Sequence, residues 1–419
     1  MTAPNGRRPE IPRHWTWQKV KHLAVLKSGE AITSESILGS GDYPVYGGNG
    51  LRGFTSRFTH SGDFILIGRQ GALCGNINYA SGEFWASEHA IVVNPRDKLP
   101  VRWLGEVLRW MNLNQLSVSA AQPGLSVQVI GNQELPVPTP AERCAIADFL
   151  DRETARIDEL IAQKEKLLQL TEERKHAEVT QRVMRGLTPG VLLRDTAADY
   201  LGRIPAHWTT PPIYARYSVA LGKMLDARQI TGAFLLPYLR NVDVQWDRIN
   251  TDDLPQMDIS PEEYDRFLLR KGDLLVCEGG EVGRCSIWTG DLSPCAYQKA
   301  LHRMRPLRSD EHVRYMFYTL AHVAASGYFA ASGSPNTIPH LTAEKLRVFR
   351  FPKPSLDEQI QISAHLDAYI ASLRQTEGAI QRAVGLLKEH RTALISAAVT
   401  GQIDVRTYRN EPKTVLEAT

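Results

Sequence analysis

One stretch of this chain occurs twice, and the repeat limits the possible fold more than any other feature. The first copy runs from Leu135 to Gly186, the second from Phe351 to Gly401. Each begins with Pro-x-Pro (Pro136 and Pro138; Pro352 and Pro354). An acidic residue with Arg or Gln follows (Glu142-Arg143; Glu358-Gln359), then an apolar run to Leu-Asp (Asp151; Asp367) and a long amphipathic stretch. Self-similarity on this scale implies repeated structural units. The openings repeat too: Ile11-Pro12-Arg13-His14-Trp15 and Ile204-Pro205-Ala206-His207-Trp208 stand at the head of each half. Trp15 and Trp208 read as packing anchors there, and the four prolines as stiffeners of an extended connector.

In the second copy, apolar residues fall at Ile370, Leu373, Ile380, Val384, Leu387 and Leu394, interrupted by Glu377 and Arg391. Steps of three and four predict a heptad seam. The first copy has Leu150, Ile157, Leu160, Ile161, Leu167, Leu168 and Val183, with a polar interval from Thr171 to Glu178. A helix of about 35 residues would run roughly 50 Å. One small domain cannot cover it, so the expected partner of each copy is the other. Antiparallel pairing would relate the halves by a pseudo-two-fold axis and put their modules at opposite ends of the coil. Gly378 and Gly385 lie off the seam, where a further helix could approach closely.

Between opener and helix, each half reads as a mixed module. Gly62-Asp63 feeds the apolar run Phe64 to Ile67, and Gly272-Asp273 feeds Leu274 to Cys277. Glycines follow at similar offsets, Gly71 and Gly75 against Gly280 and Gly283. The expected fold is α+β: two globular modules separated by two long helices that form an antiparallel coiled coil, as a pseudo-two-fold internal repeat. Expected boundaries are 11–140 and 200–354 for the modules and 141–190 and 355–405 for the helices.

The chain has 419 residues, more than one domain usually holds, and a net charge of +3, which neither demands nor excludes nucleic acid. Its five cysteines contain no CxxC, against a zinc site and for reduced thiols in a cytoplasm. No run approaches the ~20 apolar residues of a membrane span. Met1 to Glu10 reads as a loose polar tail, not a signal peptide. Catalytic signatures are missing: no P-loop (Gly222-Lys223 lacks the upstream glycine), no GxGxxG that follows an expected strand, no HExxH and no GxSxG. Thr210-Pro211-Pro212-Ile213 lacks both the acid or amide and the aromatic that a base-amino methyltransferase needs. Binding or scaffolding fits better than catalysis.

The Gly-rich segments carry side chains able to read DNA: Lys27, Asn49, Arg52, Arg57, Arg69, Gln70, Asn76 and Asn78 in the first module. The second has Tyr238, Arg240, Asn241, Arg284, Gln298, Lys299 and Asn336. Arg and Lys pair with guanine O6 and N7, Asn and Gln with adenine N6 and N7. Any one of these could simply be a solvated loop residue; the set on two matched modules is more suggestive.

The order of module, Pro-rich connector, Glu-Arg/Gln…Leu-Asp helix, then the same again resembles the DNA-specificity subunit of type I restriction-modification systems. The resemblance covers residues 11 to about 405. It rests on the two helix segments at Ala141–Ile161 and Asp357–Asp367, on the Gly-Asp turns, and on Ala121–Ser126 and Gly333–Leu341 as end-of-module loops. The second helix departs from the family, with Ala368–Leu373 in place of the Glu-Thr-Ala-Arg-Ile-Asp kept at Glu153–Asp158. The resemblance implies that each module is a target-recognition domain reading one half of a bipartite, asymmetric site in double-stranded DNA. It implies that the helices set the gap and dock two modification (methyltransferase) subunits, and that restriction (endonuclease/translocase) subunits join them. S-adenosylmethionine, ATP and Mg2+ would be used by those partners; this chain would be non-catalytic, binding no cofactor or metal. Alternatives are a stand-alone DNA-binding or scaffold protein of the same architecture, or an enzyme with an unrecognised motif.

Overall fold

The computed structural model describes residues 9–71, 73–117, 124–196, 198, 200–225, 231–331 and 340–407. They divide into two compact units: residues up to Glu165 with those from Gln381 on, and Lys166 to Ile380. Each unit therefore holds one module and a part of both long helices.

In the first unit the chain passes through β1 (Thr16–Lys19), α1 (Val20–Leu23), β2 (Ala24–Ser28), β3 (Tyr43–Gly47) and β4 (Gly50–Thr55). It continues through β5 (His60–Ser61), β6 (Phe64–Gly68), β7 (Ile77–Ala80), β8 (Glu83–Ala86), β9 (Ala90–Pro95), α2 (Val101–Trp110), α3 (Val127–Gly131) and β10 (Glu134–Val137) into α4 (Pro140–Arg185). Four strands form an antiparallel sheet in the order β2-β9-β6-β7, and four a second sheet, β4-β3-β8-β5, in which β3 and β8 are parallel. Ile65, Leu66 and Ile67 are all buried, because β6 is covered on both faces. Leu66 packs with Val92, Ala80, Phe84 and Ala86 between the sheets, while α2 packs on β6 and β7. Pro136 is part of a strand: β10 pairs with β1, Trp17 opposite Pro136. The connector expected to be merely extended is thus a two-stranded ladder.

The second unit contains β11 (Leu193–Asp195), β12 (Arg203–Pro205), β13 (Tyr217–Leu221), β14 (Leu235–Leu239), β15 (Val244–Gln245), β16 (Arg248–Ile249) and β17 (Gln256–Asp258). Then come α5 (Tyr264–Phe267), β18 (Leu274–Cys277), β19 (Cys285–Ile287), β20 (Ala296–Tyr297), β21 (Leu301–Pro306), α6 (Val313–Ala325), α7 (Tyr328–Ala331), α8 (Ala343–Val348) and α9 (Leu356–Val399). Its sheets run β13-β21-β18-β19 and β17-β14-β20, the latter again with one parallel pair, β14 on β20. The module topology is therefore duplicated, strand for strand, in the four-stranded sheet. Gly29 and Gly222 hold one place in it: a Cβ on either would collide with the carbonyls of Ala86 and Ser87, or of Tyr297 and Gln298.

The long helices have 46 and 44 residues, longer than expected from the apolar stripe. Capping starts them early. The Thr139 amide donates to Glu142 Oε2 (3.1 Å) and the Glu142 amide to Thr139 Oγ1 (3.4 Å). Ser355 and Glu358 repeat the pattern at 3.1 and 3.3 Å. Pairs three or four residues apart then carry α4 through its polar middle, such as Gln169–Glu173 (2.9 Å) and Arg182–Glu178 (2.7 Å).

Within each unit the helix segments run antiparallel. In the first, Asp158 pairs with Arg391 (2.8 Å) and Glu165 with Lys388 (3.5 Å); in the second, Glu178 pairs with His365 (2.8 Å). The seam differs from the expected one in two respects. Leu160 and Leu167 are exposed, 38% and 46%, while Ile157 and Ile161 are buried. Moreover, the polar positions belong to the seam. Thr171 is buried and donates back to the Leu167 carbonyl (2.8 Å), and Arg391 is held by Asp158. Glu377 has its pKa raised, by burial first and then by the Glu172 carboxylate. A 3.5-residue period fixes which positions face inward, whatever side chain stands there. A Cβ on Gly385 would meet nothing within 4 Å among the described residues.

Each helix ends on a glycine with positive φ, Gly186 (75°) and Gly401 (72°). Gly186 lies against Trp208 and Gly401 against Trp15 and Pro12. The opener of each module is thus the seat of the helix end from the other repeat.

Candidate nucleic-acid interface

Two duplicated locks seat each module on its own helix. His14 Nε2 lies 2.9 Å from Glu142 Oε1, and His207 Nε2 2.9 Å from Glu358 Oε1. Burial alone would raise both carboxyls, but hydrogen bonds from the histidine and the capping hydroxyl and amide outweigh it and bring each down to about 2. Trp208 Nε1 also donates to Glu358 (3.2 Å), whereas Trp15 Nε1 is buried with no partner among the described residues. The second lock is Arg102 to Asp151 (2.9 Å) and Arg314 to Asp367 (2.6 Å), linking α2 and α6 to the Leu-Asp of the repeat. Sequence reasoning missed these arginines. Their signal was present as Val101-Arg102-Trp103 and Val313-Arg314-Tyr315.

On the first module, several of the proposed DNA-reading residues come together. The β3–β4 tip and the β6–β7 connection meet where Asn76 Nδ2 donates to Asn49 Oδ1 (3.3 Å). Asn78 lies below, its Oδ1 3.4 Å from the Cβ that Gly50 lacks. Gln70 Oε1 faces His89 Nδ1 (3.3 Å), and Arg69 donates to the Glu88 carbonyl (3.4 Å). Arg52 lies over Gly47 on the same hairpin. Asn76 and Asn78 also line a cleft of about 370 Å³ with Arg109, Asn112 and Asn114. Those three were missed; the left-handed Asn112 (φ 48°) just after α2 is the one local signal. Arg57 belongs elsewhere, in a cleft with Thr33, Ser56 and Trp85. Lys27, exposed on β2, opposes protonation of His60, whose pKa is lowered first by burial, with the Glu30 carboxylate acting the other way more strongly than Lys27.

The second module treats its candidates differently. Tyr238 is 5% exposed and packs with Met257, Ile259, Phe267 and Ala296; as a buried core ring it cannot meet a base, which corrects its assignment. Arg240 is held bidentately by Asp243 (2.9 and 2.8 Å). Arg284 donates to the carbonyl and Oδ1 of Asn241 (3.0 and 2.8 Å), and Asn241 Nδ2 to the Gly279 carbonyl (2.9 Å). Arg240 is thus held within its own loop, and Arg284 and Asn241 bind each other. Gln298 is half-buried and Lys299 exposed at the end of β20. Asn336 lies outside the described residues.

Backbone bonds establish which positions correspond. The amides of Arg69 and Glu278 donate to the carbonyls of His89 and Ala300, and their carbonyls accept from Leu125 and Leu341. The amides of Glu30 and Lys223 donate to Ala86 and Tyr297. The carbonyls of Asn76 and Arg284 accept from Gly68 and Cys277. One hydrogen-bonded skeleton thus carries Arg against Glu, Glu against Lys and Asn against Arg.

Among the described residues no cluster of three or more His, Cys, Asp or Glu is placed to hold a metal, and no helix is long and apolar enough to cross a membrane.

Residues 12–170 and 238–384 match the type I restriction modification DNA specificity domain. The chain is 40% identical over 131 residues to the EcoprrI type I restriction enzyme specificity subunit of Escherichia coli, covering 30% of this chain and 33% of that relative's length. It is 24% identical over 380 residues to a putative type I restriction enzyme specificity subunit of Haemophilus influenzae, covering 84% and 87%. Among solved structures, a chain from a study of assembly and conformational transition of a type I R-M system aligns with a TM-score of 0.71 at 16% identity. That alignment covers 94% of this chain and all of the other. The HsdS subunit from Thermoanaerobacter tengcongensis aligns with a TM-score of 0.55 at 17% identity, covering 94% and 99%. With the family domain matched across more than half of its length, this chain belongs to the type I restriction-modification DNA specificity family.

Proposed function

We propose that this chain is the DNA-reading subunit of a type I restriction-modification complex. Each module reads one half of a bipartite, asymmetric site. The paired helices set the gap between the half-sites and dock two modification subunits. The chain itself performs no chemistry: S-adenosylmethionine, ATP and Mg2+ serve the modification and restriction subunits, in the cytoplasm. The observation that carries this reading is the pair of modules with one backbone skeleton and inverted loop charges. A duplicated scaffold with divergent polar loops is what two readers of different sequences require, since base contacts specify while the scaffold positions. Methylating a base needs it flipped from the stack, a task suited to a separate subunit while this one holds the duplex.

The test is co-purification of the full chain with modification subunits, followed by sequencing of methylated adenines. Stoichiometric binding and a two-part motif are expected. A chain that stays alone beside those subunits, or that methylates DNA by itself, would overturn the proposal.

A further inference from the structure

Both modules bridge the tip after their first parallel-paired strand to the loop after β6 or β18. The two bridges differ in what they leave free. In the second module the bridge is Arg284 to Asn241, and its groups are engaged or buried: Asn241 Nδ2 on the Gly279 carbonyl, Arg284 Nη2 on both Asn241 oxygens, Nη1 beside Glu281 (3.5 Å) and Nε buried. In the first module the bridge is one hydrogen bond between two exposed, uncharged amides, Asn76 and Asn49. A single N–H···O bond between two amides leaves one NH2 and one carbonyl oxygen with spare capacity, whichever way each amide is turned. The bridge also fixes their spacing. A close backbone approach makes it possible: a Cβ on Gly68 would stand 2.5 Å from the Gly48 carbonyl oxygen.

We infer that the Asn49–Asn76 pair is a specificity element of the first module that reads an adenine through its major-groove edge. This rests on the DNA-reading function proposed above. A spare donor beside a spare acceptor on two exposed side chains matches adenine N7 and N6–H2; the guanine edge offers two acceptors, N7 and O6, and leaves the amide oxygen facing a lone pair. Neutral amides add little to phosphate attraction, so the pair acts on sequence choice more than on overall affinity. Arg284, at the position of Asn76, is the structural counterpart that does not read.

The test selects bound duplexes from a library randomised in both half-sites, using the full chain in complex with its modification subunits. Asn49→Ala and Asn76→Ala are compared with the unaltered chain, with thermal melting to confirm the fold. Each substitution should relax the preference for adenine at the same single position of one half-site, by roughly ten- to a hundredfold, and leave the other half-site unchanged. Retention of every preference within about twofold, or loss at two different positions, overturns the assignment. An unaltered chain with no bipartite preference overturns the functional reading itself, a different result.

Discussion

Leu23 in the first module and Arg216 in the second hold one place in the fold: their carbonyls accept the amides of Arg96 and Leu307, just past β9 and β21. Leu23 is a buried apolar side chain. Arg216 is equally buried, and binds Glu311 through two contacts of 2.8 and 2.7 Å, both side chains 1% exposed. Its Nη1 also reaches the carbonyls of Phe351 and Pro352. The Gly-Asp turn differs likewise. Asp273 is buried and gripped by Arg305 (2.6 and 2.7 Å), whereas Asp63 is exposed. The repeat has kept the backbone hydrogen bonds and changed the side chains around them, in the core as well as in the loops. A backbone network satisfied within itself imposes no charge on its neighbours, so one scaffold tolerates opposite chemistries.

The largest test of that contrast is Glu311→Ala. It leaves Arg216 buried without its carboxylate and should cost about 3–5 kcal/mol in urea unfolding, while Arg216→Leu with Glu311→Leu restores most of it. A cost under about 1 kcal/mol for Glu311→Ala would mean that the pair is not holding this site.

Next are the arginine locks. Arg102→Ala removes a partner of the fully buried Glu106, which Arg109 and Tyr79 also bind, and should destabilise by about 3 kcal/mol. Arg314→Ala should do less, because the carboxylates it leaves, Asp247 and Asp367, are partly exposed (23% and 44%), unlike Glu106, and Arg374 still reaches Asp247 (3.2 Å). The reverse order in denaturation midpoints would contradict the view that the first module depends more on its lock.

On the DNA side, Lys299→Ala should weaken binding uniformly across sequences and lower the salt slope by about 1. Arg240→Ala should leave that slope alone, since its guanidinium is held by Asp243. Equal slopes for the two variants would erase the distinction between free and engaged cations.

The smallest effect concerns a place where the modules agree. Glu142 and Glu358 have pKa values depressed to about 2. A depressed carboxyl contributes stability that is complete above its unfolded value near 4.5 and is lost as pH falls toward 2. Glu142→Gln with Glu358→Gln should flatten that part of the urea-midpoint profile; an unchanged profile would remove the carboxylates from the acid limb.

The locks and the seam show how far the sequence could be read. The capping residues Thr139 and Ser355, three before their glutamates, announce the helix starts, because capping is local. The heptad period was legible too, yet Leu160 and Leu167 look like seam residues and are exposed, while Thr171 looks like surface and is buried. A helical stripe gives a period; which of two neighbouring apolar residues faces inward depends on the partner helix. Arg102 and Arg314 repeat in sequence, but nothing local says that they reach carboxylates 49 and 53 residues away.

What the sequence determined by itself was the duplication: two mixed modules, two long helices, and the matched openers, each set by motifs within a few residues of one another. What only the tertiary structure decided was which polar side chains remain free. Asn76 and Arg284 sit at equivalent places in the same kind of loop and look equally fit to read a base. Arg284 is engaged by Asn241, 43 residues away, and Asn76 is left with an amide edge open. Hydrogen-bonding capacity is used up by whichever partner the fold brings near, and that partner is distant along the chain.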